Sequence, residues 1–153
     1  MTKNQKGFTL IELLVVISIV ALLSVTVFVA LDPVKRFADA RNSRRWSDVN
    51  NMITAIHEYI VDNKGDLPTG LTTGMSATQL GTCVSGGSTL CSGAAAACVN
   101  IATPLNKYLK SLPFDAKTGS AATTAYKVDV DANNIVTITA CSAENGETIS
   151  VSR

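Results

Sequence analysis

The sequence predicts an α+β chain, in which a long N-terminal helical stem, half membrane-spanning and half amphipathic, packs on a small three-stranded antiparallel sheet. Three observations carry this. Residues 8–31 form an apolar run without Gly or Pro and with one ionisable residue, Glu12. From Val34 the pattern changes to apolar side chains recurring every three or four positions, the period of a helix with one buried face. Residues 125–151 then alternate apolar and polar between turn-forming clusters, as half-buried strands do. The chain has 153 residues, so beyond the apolar run there is room for one small domain.

At about 1.5 Å of rise per residue, the run over 8–31 is long enough to cross a hydrocarbon core of about 30 Å. Glu12 lies near its start, where burying an unpaired carboxylate costs about 2.5–3.5 kcal/mol on insertion scales. Such a group either stays wet at the headgroups or finds a partner. The leader before it, residues 1–7, carries Lys3 and Lys6 and no acid, so the positive-inside rule predicts the N-terminus in the cytoplasm and the C-terminal domain outside. A cleaved secretory signal is the competing reading. It predicts a shorter apolar core without a glutamate and a small-x-small cleavage site, whereas the stretch before Ala30 places Phe28 where a small residue is wanted.

Lys6-Gly7-Phe8-Thr9-Leu10-Ile11-Glu12 resembles, residue for residue, the processing motif of type IV prepilins and type II secretion pseudopilins. The resemblance implies that a membrane-embedded peptidase cuts after Gly7 and N-methylates Phe8, and that Glu12 sets subunit registration. It also implies the partners: a prepilin peptidase, an inner-membrane assembly platform with its ATPase, and further copies of the chain in a helical filament. The chemistry is coherent with the residues. A glycine lets an extended backbone enter a protease cleft, and cutting after it frees an ammonium about one helical turn from Glu12, on the same subunit or a neighbour, which makes a lipid-buried carboxylate tolerable.

Asp32-Pro33 interrupts the stem, either by kinking a continuous helix or by Asp32 capping a new helix that begins at Pro33. The amphipathic half, residues 32–64, places Trp46, Val49, Met52, Ile53, Ile56 and Ile60 on one predicted core face, and Asn63-Lys64-Gly65 ahead of Pro68 marks its end. Lys35, Arg36, Arg41, Arg44 and Arg45 crowd its beginning. They are candidate contacts for DNA or for a neighbouring subunit, set against the plainer reading of a solvated helix face. Bulk charge favours no polyanion: the chain carries +1, and without the leader's lysines 11 basic residues face 12 acidic ones.

Residues 65–124 read as a loop region rich in Gly, Ser, Thr and Ala, with one short helix near 100–112. Residues 105–115, LNKYLKSLPFD, resemble the segment that precedes the sheet in major pseudopilins. All four cysteines, Cys83, Cys91, Cys98 and Cys141, follow the apolar run, and an even number in an exported domain favours disulfides over a metal site. Three connectivities exist. Pairing Cys83 with Cys91 and Cys98 with Cys141 is preferred, since the first closes a local loop and the second ties that loop to the sheet.

The predicted strands are 125–130, 135–140 and 147–151, joined by turns at Asp131–Asn134 and Ala143–Gly146. Asp129-x-Asp131-x-Asn133 has the look of a calcium loop, and calcium occurs in a C-terminal loop of related major pseudopilins, but Asn134 replaces the required glycine and Ala140 the terminal acid, so the turn reading is preferred. His57, the one histidine, sits within the helical pattern beside Ile56, and no Gly-x-Ser-x-Gly elbow or carboxylate pair marks a catalytic cleft. No enzyme, cofactor or resident metal is therefore expected. The function expected is that of a structural filament subunit, of a pilus or a secretion pseudopilus. The alternative is a membrane-anchored exported binding module that does not polymerise.

Overall fold

The computed structural model describes residues 7–153; the leader's Lys3 and Lys6 lie outside them. The elements run α1 (Leu10–Leu31), α2 (Pro33–Asp62), β1 (Thr78–Gln79), α3 (Gly87–Leu90), β2 (Tyr126–Val130), β3 (Val136–Ala140) and β4 (Ser150–Ser152). Two compact units divide at Phe37/Ala38.

The first unit is α1 and the opening turn of α2. None of α1's residues is buried, although the helix is apolar enough to cross a membrane. Its three hydroxyl residues return their hydrogens to the helix, Ser18 to Leu14 O, Ser24 to Val20 O and Thr26 to Leu23 O, so no donor is left facing outward. At Asp32 the backbone turns left-handed, with φ 38°, and its carboxylate accepts the Lys35 amide at 3.3 Å. Of the two readings of Asp32-Pro33, the fresh cap holds.

The second unit is a head in which α2 covers a four-stranded antiparallel sheet of order β1-β2-β3-β4. Tyr126, Val128 and Val130 of β2 and Val136, Ile138 and Ala140 of β3 turn the same face inward, onto Val49, Met52, Ile53 and Ile56 of α2. The helix stops where Lys64 and Gly65 take φ 60° and 101° and the Gly65 amide reaches back to Ile60 O at 2.8 Å.

Four expectations need correction. A fourth strand exists: β1 is two residues long, Thr78 and Gln79 pairing with Val128 and Lys127, too short to show a periodicity. Its outer edge is taken by the chain near Val99, whose amide donates to Gln79 O. The short helix near 100–112 is absent; hydrogen bonds such as Leu105 N to Ile101 O and Tyr108 N to Leu105 O close separate turns there, which suffice to bury Ile101 and Leu105. The last strand begins at Ser150, later than predicted, because residues 144–147 are occupied by a turn with Asn145 and Gly146 left-handed.

The fourth concerns α2. Its inward stripe is Ala38, Asn42, Arg45, Val49, Met52 and Ile56, at steps of four and three. Trp46, assigned to the core face with Val49, Met52, Ile53, Ile56 and Ile60 by its spacing, is one position off that stripe and 39% exposed, while Arg45 is 1% exposed. Burial of a guanidinium requires partners. Arg45 finds Asp115 through Nε and Glu144 and Asn42 through Nη1, at 3.0 and 2.8 Å for the latter two. Asp115 is itself anchored by the amides of Lys117 and Thr118, both at 2.9 Å, in a turn that needs Gly119: a Cβ there would come within 2.6 Å of Thr124 O. Glu144 also accepts from Arg41 at 2.6 and 2.9 Å and from Lys117 at 2.6 Å. Its backbone exchanges two hydrogen bonds with the Asn42 amide. The β3–β4 connection is thereby fastened to the head-packed start of α2.

Arg41 and Lys117 hold the Glu144 carboxyl well below the usual carboxylate range. For Asp115, burial opposes ionisation, but Arg45 and the Thr118 and Lys117 amides outweigh it and its pKa is also lowered. A folded-state pKa below the unfolded value adds stability that is fully present above the ordinary carboxylate range and drains as pH falls through and below it. Chemical denaturation of the detergent-solubilised chain should therefore show a steep acid limb that Glu144→Gln flattens. Asp115→Asn, which strands the buried guanidinium, should cost about 3–5 kcal/mol at neutral pH.

Candidate processing and assembly site

Residues 7–9 are exposed and outside any regular element, and α1 begins immediately after them. Thr9 is its N-cap, at φ −84° and ψ 152°. The Thr9 hydroxyl accepts the Glu12 amide at 3.3 Å, and the Glu12 Oε2 accepts both the Thr9 amide and the Thr9 hydroxyl at 2.8 Å. This reciprocal arrangement is a capping box, and it satisfies amides that the first turn of a helix leaves unpaired. Glu12 is thus not a bare charge at the head of an apolar helix. The Thr-x-x-Glu spacing signals such a box in the sequence, a signal the reading of Glu12 as a charge awaiting an amine did not use.

Only Oε2 is engaged. Among the described residues Oε1 has no hydrogen-bond partner, so the carboxylate is oriented by its own helix and retains one oxygen for a donor from elsewhere. Phe8, 87% exposed, directly precedes the cap, and an amine created at its nitrogen would lie one residue from the amide already bound to Oε2. Among the described residues, chain neighbours aside, no atom lies within 4 Å of where a Cβ on Gly7 would stand, so the described fold does not demand a glycine there.

The other predicted site residues have different fates. Of the five bases, Arg45 is withdrawn into the head, which corrects its assignment as a polyanion or subunit contact, and Arg41, about a third exposed, pairs with Glu144. Arg44 stays largely exposed, 3.9 Å from Asp48. Lys35 and Arg36 are exposed on the opening turn of α2.

The cysteines pair as Cys83–Cys98 and Cys91–Cys141, not in the preferred pattern. The reason is the unforeseen edge strand. The chain around Val99 runs beside Leu80, the Cys98 amide donates to Cys83 O at 2.9 Å, and the two Cα atoms stand 5.0 Å apart. Cys91, at the end of α3, is buried and meets Cys141 as the chain leaves β3. The loops closed span 15 and 50 residues, so on chain-entropy grounds the bridges add about 3 and 4 kcal/mol.

Asp131, in the calcium-like stretch, accepts the Asn133 and Ile135 amides at 2.7 and 2.8 Å and so caps a turn. Among the described residues no group of three or more His, Cys, Asp and Glu is placed to hold a metal ion. His57 lines an open surface groove of about 390 Å³ with Glu58, Val61, Tyr108 and Arg153; among the described residues its Nε2 has no hydrogen-bond partner.

Residues 2–28 match the family described as the Prokaryotic N-terminal methylation motif. No curated protein and no solved structure matches the chain. With the fold, this defines the class: an α+β chain that carries the prepilin-type motif of type IV pilins and pseudopilins and has, among the described residues, one N-terminal helix long and apolar enough to cross a membrane. The motif implies processing by a prepilin peptidase and assembly into filaments in general.

Because no described residue beyond its chain neighbours stands where a side chain at Gly7 would go, its replacement separates processing from folding of the head. Gly7→Val should leave the thermal midpoint of the head unchanged while the leader stays attached, read as the intact mass in cells that contain the peptidase. A variant processed normally would show that the cleavage site does not require this glycine.

Proposed function

We propose that this chain is a structural subunit of a type IV pilus or a type II secretion-like pseudopilus. It is inserted with its N-terminus in the cytoplasm and its head outside, cut after Gly7, and N-methylated at Phe8 by a prepilin peptidase. An inner-membrane assembly platform and its ATPase then draw it into a homo-oligomeric helical filament.

The observation that carries this reading is α1 itself: an uninterrupted apolar helix with none of its residues buried by its own chain, opening on a carboxylate that is half satisfied. At about 1.5–3 kcal/mol for each large apolar side chain left in water, exposure of the helix is untenable by tens of kcal/mol. Lipid covers it before assembly and neighbouring copies of α1 cover it afterwards. In the filament, the ammonium of a processed Phe8, from the same or an adjacent subunit, meets Glu12 Oε1 and fixes the axial register, because a charge in an apolar bundle is tolerated only where its partner arrives. The Asn63–Pro68 junction and the short sheet favour the pseudopilus over the long pilus. The exported binding module that never polymerises would need Glu12 only as a cap.

That difference can be tested without disturbing the helix. Glutamine at the third helical position still closes a capping box but carries no charge. Glu12→Gln should insert, be processed and fold its head like the native chain, yet yield few or no filaments by shear fractionation and electron microscopy. Filaments at native abundance would reduce Glu12 to a cap and remove registration from its role.

A further inference from the structure

The bases just beyond the apolar helix lie where an outward-facing flank is expected to have few, since positive charge there opposes an N-in orientation. The head accounts for Arg41 and Arg45. Lys35 and Arg36 remain, and among the described residues neither takes part in an ion pair. Beside them, Val34 is 76% and Phe37 66% exposed.

We propose that residues 33–37 are a headgroup anchor, in which Lys35 and Arg36 bind the phosphates of anionic phospholipid in the outer leaflet while Val34 and Phe37 enter the acyl boundary. This rests on the membrane-anchored reading of α1 but not on polymerisation. Three observations support it. The 22 residues of α1 span about 33 Å, which uses up a hydrocarbon core of about 30 Å and brings the chain to the headgroups at Leu31. The next six residues rise only about 9 Å at helical pitch, which keeps Val34 to Phe37 within side-chain reach of the headgroup layer. At about 100° per residue, Val34 and Phe37 form one narrow apolar ridge and Lys35 and Arg36 fall about 130° to either side of its centre, the distribution of an interfacial helix whose bases reach outward to phosphate. Asp32, just before the segment, accepts the Lys35 amide through Oδ1 and forms no ion pair with Lys35 or Arg36. The occupant is lipid because the segment continues directly from a lipid-spanning helix and presents unpaired cations at phosphate depth.

The test uses the full, unprocessed chain in vesicles without peptidase, so that filament formation plays no part. Trp46 is the only tryptophan, so Phe37→Trp combined with Trp46→Phe gives a single probe beside the bases. With lipid brominated near the carbonyl end of its chains, its fluorescence should be quenched in phosphatidylcholine vesicles containing phosphatidylglycerol. That quenching should be lost in phosphatidylcholine alone, at high salt, or when Lys35→Gln and Arg36→Gln are added. Co-flotation reports insertion of α1 separately. Quenching that ignores the bases and the anionic lipid overturns the anchor, as does its absence from a chain that floats. A chain that fails to float overturns the membrane reading beneath it. If the double substitution spares quenching but abolishes DNA retention or filaments in cells, the bases belong to those partners and the anchor is wrong.

Discussion

Helix α1 is left uncovered by the described residues. Leu10–Leu31 has no buried residue among them, so an apolar environment for it has to come from outside, as hydrocarbon can supply. Features on both sides follow from that constraint. At the N-terminal end, backbone amides entering a medium without water are satisfied by a box made of Thr9 and Glu12. Along the helix, the serine and threonine hydroxyls fold back onto carbonyls. At the far end the backbone breaks at Asp32, and α2 begins with a different side-chain pattern.

The proposed transfer of the stem from lipid to neighbouring copies would need a head that is complete without them. The head here has its own core, and it is closed by charge as well as by apolar packing. Arg45 occupies a core position of α2 and draws Asp115 from one loop and Glu144 from another onto the helix. A buried ion pair of this kind is weak evidence for added stability, since desolvation offsets much of the attraction. Its effect is on position: moving the β3–β4 turn away from α2 would strand the buried Arg45 charge. The two disulfides act on different scales, Cys83–Cys98 holding the segment that covers the β1 edge and Cys91–Cys141 holding that segment to the sheet.

What could be read from the sequence divides by the range of the interactions. The stem, its interruption at Asp32-Pro33, its stop at Lys64-Gly65 and the alternation of Tyr126–Val130 are local patterns, and local patterns were sufficient for them. Arg45 was misjudged because hydrophobicity ranks the neighbouring Trp46 as the core residue, whereas the partners that make a buried arginine affordable lie 70 and 99 positions away. The cysteine connectivity depended on a two-residue strand and a single parallel bridge between Leu80 and Val99, neither of which leaves a periodicity. The segment near 100–112 has the apolar spacing of a helix, yet its buried positions are reached by successive turns after Pro104. The capping box is the opposite case, a short-range signal in plain view that a functional reading of Glu12 obscured.

The account stands or falls on what the first residue of the mature chain is. Intact-mass and N-terminal peptide mass spectrometry of the protein from its native membrane or filament should find a chain that begins at Phe8 with one methyl group on its nitrogen. A mature protein that retains Met1, or one cut near Ala30 and released without α1, would contradict it.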